Sequence, residues 1–273
     1  VSVVGGEMGA RTGARASGAT SAAGRLIALG RAELTLLGRS KLMIYSGVFA
    51  PLLITYGMKA YFSEQLDPEK TGLSIGALML PAALGMALLM AVYNNLVGVY
   101  VTRREDLVLK RLRTGELADW EILAGGALPA VLITLAQCVL YVAGGSLVLG
   151  VGMPKAPHLV ALGIVIGVVV MAGLAALTAG ITKSAEAAQL TPTPLFMVSL
   201  VGSGVFFPLA MLPDRLAQVL ELLPLSPVMG LLQAGWTGGA TPGETVKQLV
   251  IGLVWSGIAV FAGQRWFRWE PRR

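Results

Sequence analysis

Few side chains in this sequence have the type and spacing to do chemistry. His158, the only histidine, follows Pro157 with no Cys, Asp or Glu at metal-ligand spacing, so no metal site is expected. Cys138 is the only cysteine and lies in an apolar run. A single thiol cannot close a disulfide within the chain, and a small packed or lipid-facing residue is expected there. In "AGITKSAE" the pair Lys183-Ser184 lacks both the glycine directly before the lysine and the spaced glycine upstream. A phosphate-cradling loop needs both, so the chain carries no ATP site of its own. No catalytic residue and no cofactor are expected. The amides of Asn94, Asn95 and Gln137 read as helix contacts satisfied inside a bundle rather than as recognition groups.

What the sequence concentrates is charge. "VTRREDLVLKRLRTGELADWE", Val101 to Glu121, lies between two long apolar segments of a chain that is 55% hydrophobic and only 13% charged. Thr102 to Arg113 contains helix-favouring residues without Gly or Pro, Asp106 precedes Lys110 by four as in a supporting ion pair, and Gly115 is a natural stop. Val108, Leu109 and Leu112 share an arc surrounded by Arg103, Arg104, Lys110, Arg111 and Arg113. Two readings stand side by side on this pattern. The cations either hold the loop at the membrane surface, or they frame an apolar patch that docks a protein.

The elements that must position this loop are membrane-spanning helices. Six apolar runs approach the roughly 20 residues that cross a bilayer: about 42–58, 73–93, 122–149, 159–181, 195–212 and 246–264. Pro51, Pro81 and Pro129 fall inside the first three and predict kinks. Intramembrane Asp or Glu, the usual mark of an ion-coupled carrier, is missing from the middle of every run. Small residues in "GALMLPAALGMALLMA" and "GLAALTAG" suit close helix approach. The first 24 residues, rich in Gly, Ala, Ser and Arg, predict a disordered arm, and residues 25–273 a single membrane unit. Between them Leu26, Ile27, Leu29, Leu34, Leu36 and Leu37 oppose Arg25, Arg31 and Arg39, an amphipathic interfacial helix in which Glu33 lands on the apolar side. The fold class expected is therefore all-α, with six spans and an amphipathic helix before them.

Charge orients the bundle. The amino arm, the second and fourth loops and the carboxyl tail together hold 16 of the 21 Lys and Arg. The positive-inside rule then puts both termini and the charged loop in the cytoplasm, with the protein in the cell membrane. In this setting the net charge of +6 reflects topology, and no nucleic-acid partner is expected.

Two stretches resemble a known family. "REDLVLKRLRTGELADWEILAGG" is similar to the cytoplasmic loop of the permease subunits of type-2 ABC exporters, where "E…LKRLR" is followed by "WEIL" at the start of the next span. In that family the loop carries a coupling helix that docks into a separate ATPase subunit. The resemblance implies a docking surface of Arg103, Arg104, Glu105, Leu109, Lys110, Arg111, Leu112 and Arg113, with Trp120 and Glu121 marking re-entry to the membrane. "GSGVFFPLAMLPDRLAQVLELLPLSPVMGLLQAGW", Gly202 to Trp236, is similar to the family's "FFP…LP" and "LPLSP" pattern, which implies short re-entrant helices between spans five and six. The resemblance further implies two copies of this permease working with two ATPase subunits that bind ATP and Mg, and an exit path between the first, second and fifth spans of both copies. The substrate it suggests is amphipathic, drug-like or lipid-like, and moves outward. Export of a glycan or lipid-linked substrate is the nearest alternative, and the spans lack the aromatic belts of a sugar path. A stand-alone carrier or channel would need a coupling charge in the spans, and a membrane enzyme a polar cluster at one face.

Overall fold

The computed structural model describes residues 75–114, 118–148, 152–205 and 213–270, together with Thr35 and Gly57. The amino arm, the interfacial helix with Arg25, Arg31, Glu33 and Arg39, the first span, Gly115 and residues 206–212 lie outside the described residues.

The run expected to end near residue 93 continues much further. Helix α1 (Ile75–Ala87) passes into a π-helical turn, Leu88–Asn94, and directly into α2 (Asn95–Glu105). The reason is a second buried stripe: Leu96, Val97, Tyr100 and Val101, spaced by one and four, face the bundle. After the short α3 (Val108–Arg113) come α4 (Asp119–Val148) and α5 (Pro157–Ile181). A single 3-10 turn, Ala187–Gln189, leads to α6 (Thr193–Gly202), where the fifth predicted span breaks at Ser203 and the left-handed Gly204 (φ 77°). Two short helices, α7 (Asp214–Leu220) and α8 (Ser226–Thr237), precede α9 (Pro242–Trp266). Helix α9 opens on a capping box in which Thr241 and Glu244 satisfy each other's backbone N–H, with Pro242 in the first turn. Pro81 and Pro129 both sit within continuous helices.

Among the described residues every regular element is helical, and four helical stretches are long and apolar enough to cross a membrane: Met79–Glu105, Asp119–Ala143, Pro157–Ile181 and Pro242–Trp266. Helix α5 is the hub. Its Gly167 admits Leu88 of the π turn, and its Gly173 admits the backbone of Ala259 in α9, which a Cβ would meet at 2.6 Å. In a bilayer, where lipid tails are as apolar as leucine, such close approach is what holds helices together. Helix α8 is buried through Val228, Met229, Leu231, Leu232 and Trp236, while α7 leaves Leu216 and Val219 exposed.

The loops segregate by end. Ala156 N–H donates to the carbonyl of Gly235 at one end (2.9 Å). At the other, the end of α2, α3, the start of α4, the α5–α6 link and the residues after α9 come together through the contacts described next.

Candidate functional site: the charged hairpin and the polar cavity

Helix α2 does not run on through Arg113. It stops at Glu105, Leu107 adopts a left-handed conformation (φ 59°), and the chain restarts as α3. Arg104 and Leu109 are each only 1% exposed. In one continuous helix they would sit about 140° apart and could not both face the bundle. The reversal at Leu107 resolves that conflict. It also separates Asp106 from Lys110, so the helical pair expected from their spacing does not form. Lys110 Nζ instead meets Glu270 Oε1 at 2.8 Å.

The residues implied as a docking surface divide into two groups. Arg104 faces inward and donates from Nη1 to the Ala179 carbonyl (2.9 Å) and from Nη2 to that of Thr182 (2.7 Å), so it caps the end of α5. Leu109 packs into the core, Leu112 is half-buried against it, and half-buried Arg103 brings Nη1 beside Gly126 of α4. Glu105 is exposed but accepts from the Ala185 N–H (3.1 Å), which holds the α5–α6 link. Lys110, Arg111 and Arg113 are exposed, with Leu107 and Val108 beside them at the tip. A leucine with positive φ is uncommon and strained. Among the described residues it is the one non-glycine case.

The chain after α9 buttresses this tip. Arg113 forms an ion pair with Asp119 (Nε to Oδ1, 3.1 Å), and its guanidinium lies 5.0 Å from the centroid of the Trp269 ring. Trp269 packs edge-on against Phe267 at 4.9 Å, and Phe267 against Tyr100 at 5.8 Å. Tyr100 donates to the Leu123 carbonyl (2.9 Å), which fixes α2 to α4. Glu121, 1% exposed, accepts from the Ala118 N–H (2.8 Å) and closes the first turn of α4, while Trp120 stays 47% exposed.

A polar cavity of about 810 Å³ lies beside the hairpin, lined by Asn94, Asn95, Gly98, Thr102, Arg103 and Gln189 among others. The π turn sets its wall. Tyr93 is fully buried and its hydroxyl lies 3.2 Å from the Thr178 hydroxyl, while the next residue, Asn94, is exposed and Asn95 half-exposed. π turns inside α-helices are frequent at functional sites. The two asparagines, expected as contacts within the bundle near the end of a span, therefore stand inside a long span with their amides on a concave surface. Gln137, by contrast, is buried. Cys138 is buried, and among the described residues no group of His, Cys, Asp and Glu is arranged to hold a metal.

The model of the ABC-2 type transporter family matches residues 25–235. The chain belongs to that family. The matched region takes in the hairpin and the polar cavity and runs into α8, so this chain is a membrane component of an ABC transporter. No curated protein matches the chain.

Sequence reasoning missed three parts of the site. The α5 cap was signalled indirectly, since α5 has no basic residue in its last turn and must obtain a cation from elsewhere. The left-handed Leu107 had no signal in a run of helix formers. The packing of Trp269 and Glu270 onto the hairpin is a long-range contact that local pattern does not encode.

Proposed function

We propose that this ABC-2 permease is the membrane half of an ATP-driven exporter, gripped at the hairpin by a separate ATPase subunit. The observation that carries the reading is the division of the hairpin. Its inner face is fixed to the bundle through Arg104 and Leu109, and its outer face offers Leu107 and Val108 among Lys110, Arg111 and Arg113. A tip that is apolar at its centre and cationic at its rim suits a protein partner with an acidic cleft. A tip braced on its inner side moves as a lever instead of folding under load.

The partner would bind ATP and Mg, and two permease copies would work with two ATPase subunits. The positive-inside distribution orients the hairpin and both termini to the cytoplasm. The polar cavity beside α2, set against apolar spans, favours a substrate with a polar head and an apolar body, either drug-like or lipid-like. Outward movement follows from the resemblance to exporters.

Charge reversal tests the reading. Lys110→Glu, Arg111→Glu and Arg113→Glu together should abolish recovery of the ATPase with the tagged permease while leaving membrane insertion unchanged. Undiminished co-purification would overturn it. The purified permease alone should hydrolyse no ATP.

A further inference from the structure

A second cavity, of about 330 Å³, opens between α4, α5 and α9 and shares no residue with the polar one. Its walls are Leu123, Ala124, Ala127 and Val131 of α4, Val168 to Ala176 of α5, and Val260 and Gly263 of α9. Two observations define its shape. Gly173 draws α9 against α5, whereas α4 and α9 scarcely touch one another, so a slot remains between them. Alanines at 124, 127, 172 and 176 leave that slot unfilled.

The slot has a direction. Trp120, Tyr100 and Gln264 lie at the hairpin end, and Val131 and Val168 at the other. From Trp120 to Val131 it follows α4 for about 16 Å at the helical rise per residue. One leaflet's share of a bilayer's hydrocarbon is about 15 Å. The polar groups stand at one end only. The exposed Arg265 and Arg268 follow Gln264, which lines the slot at that end, within four residues. The Tyr100 hydroxyl is already engaged by the Leu123 carbonyl, so below its mouth the slot is lined by apolar side chains.

We infer that this slot holds one acyl chain of an anionic phospholipid from the leaflet on the hairpin side, with the phosphate met by Arg265 and Arg268. Length fits a single chain of one leaflet, and charge at the mouth fits an anionic head rather than a zwitterionic one. That leaflet is cytoplasmic on the orientation proposed above, and naming it so is the one part that rests on that reading. The lipid is a resident brace rather than cargo. It would press on Tyr100, and through Phe267 and Trp269 on Arg113, which joins its occupancy to the rigidity of the hairpin.

The test uses the full chain, delipidated in detergent and re-exposed to phosphatidylglycerol or phosphatidylcholine, with bound lipid counted by native mass spectrometry. One phosphatidylglycerol per chain should persist, at least about tenfold more than phosphatidylcholine. Ala124→Phe with Ala172→Phe should fill the slot and remove the retained lipid, and Ala172→Leu alone should weaken it if the double variant does not fold. Arg265→Gln with Arg268→Gln should erase the preference between the two lipids. A photoactivatable acyl chain should label α4, α5 and α9. Unchanged retention in a folded slot-filling variant would overturn the site. So would labelling confined to other segments, or a slot covered by residues 1–74 with no lipid retained. None of these readouts involves ATP or transport, so a failed exporter reading leaves them interpretable.

Discussion

Arg104, at the end of α2, places Nη1 2.9 Å from the carbonyl oxygen of Ala179, near the end of α5. Its second donation, to Thr182, makes one guanidinium fork the C-terminal cap of a helix 75 residues away in sequence. Helix α5 supplies no cation to its own last turn, and its carbonyl ends carry partial negative charge. Because Glu105 next door also holds the Ala185 N–H, any displacement of the hairpin is delivered to the α5–α6 link.

Removing that fork should be severe. Arg104→Ala leaves two buried carbonyls without their charged donor and should lower stability by roughly 3 kcal/mol. Arg104→Lys keeps the charge but not the two-pronged geometry, and should fall between the two. Thermal unfolding in detergent checks the order, and equal melting of wild type and Arg104→Ala would dismiss the cap.

The α5–α9 seam makes an opposite pair of predictions for two glycines. A Cβ on Gly173 would meet the Ala259 carbonyl carbon at 2.6 Å and its oxygen at 2.7 Å, and backbone cannot yield as a side chain does. Gly173→Ala should therefore force α9 away from α5 and destabilise by about 1–3 kcal/mol. Gly257, on the same helix as Ala259, has nothing within 4 Å of its Cβ position. Gly257→Ala should be neutral or gain up to about 1 kcal/mol from helix propensity. Folded yield and unfolding temperature of the two variants settle the matter.

These residues also show where sequence reading succeeds and stops. Span positions follow from apolar length, which is local: α4, α5 and α9 begin within four residues of the expected starts at 122, 159 and 246. Leu109 and the Lys110–Arg113 cluster stood out by composition in the same way. The second span was misjudged because Asn94-Asn95 reads as a boundary, whereas the stripe from Leu96 to Val101 keeps the helix buried beyond it. Arg104 looked like one more surface cation. Its inward turn depends on the position of α5's end, a partner that spacing along α2 cannot reveal.

The segment after α9 should rigidify the hairpin mainly through its aromatic rings. The Lys110–Glu270 pair is exposed on both sides, and such pairs contribute at most about 1 kcal/mol. Edge-to-face packing of Phe267 on Tyr100 and Trp269 centres on two buried rings, Tyr100 and Phe267, and should contribute more, with Arg113 over the indole adding to it. Glu270→Gln should leave amide hydrogen exchange in residues 108–113 almost unchanged, while Trp269→Ala should speed it. The reverse ranking would show that charge, not packing, fastens the tail. The weakness of the ion pair has a use in the exporter reading, since an incoming acidic partner could take Lys110 from Glu270 at small cost.

The polar cavity yields a prediction that separates recognition from architecture. Tyr93 and Asn94 are adjacent, yet the π turn buries the first against Thr178 and leaves the second exposed to the cavity. If the asparagines recognise the polar head of a substrate, Asn94→Leu with Asn95→Leu should leave the fold intact. The KM for substrate-stimulated ATP hydrolysis in the reconstituted complex should then rise by about tenfold, about 1.4 kcal/mol for two lost hydrogen bonds. Tyr93→Phe should do the converse: it removes a buried hydroxyl contact and lowers stability by about 1 kcal/mol, with KM unchanged in whatever fraction folds. A double asparagine variant with wild-type KM, or one that melts early, would return these residues to a purely structural role.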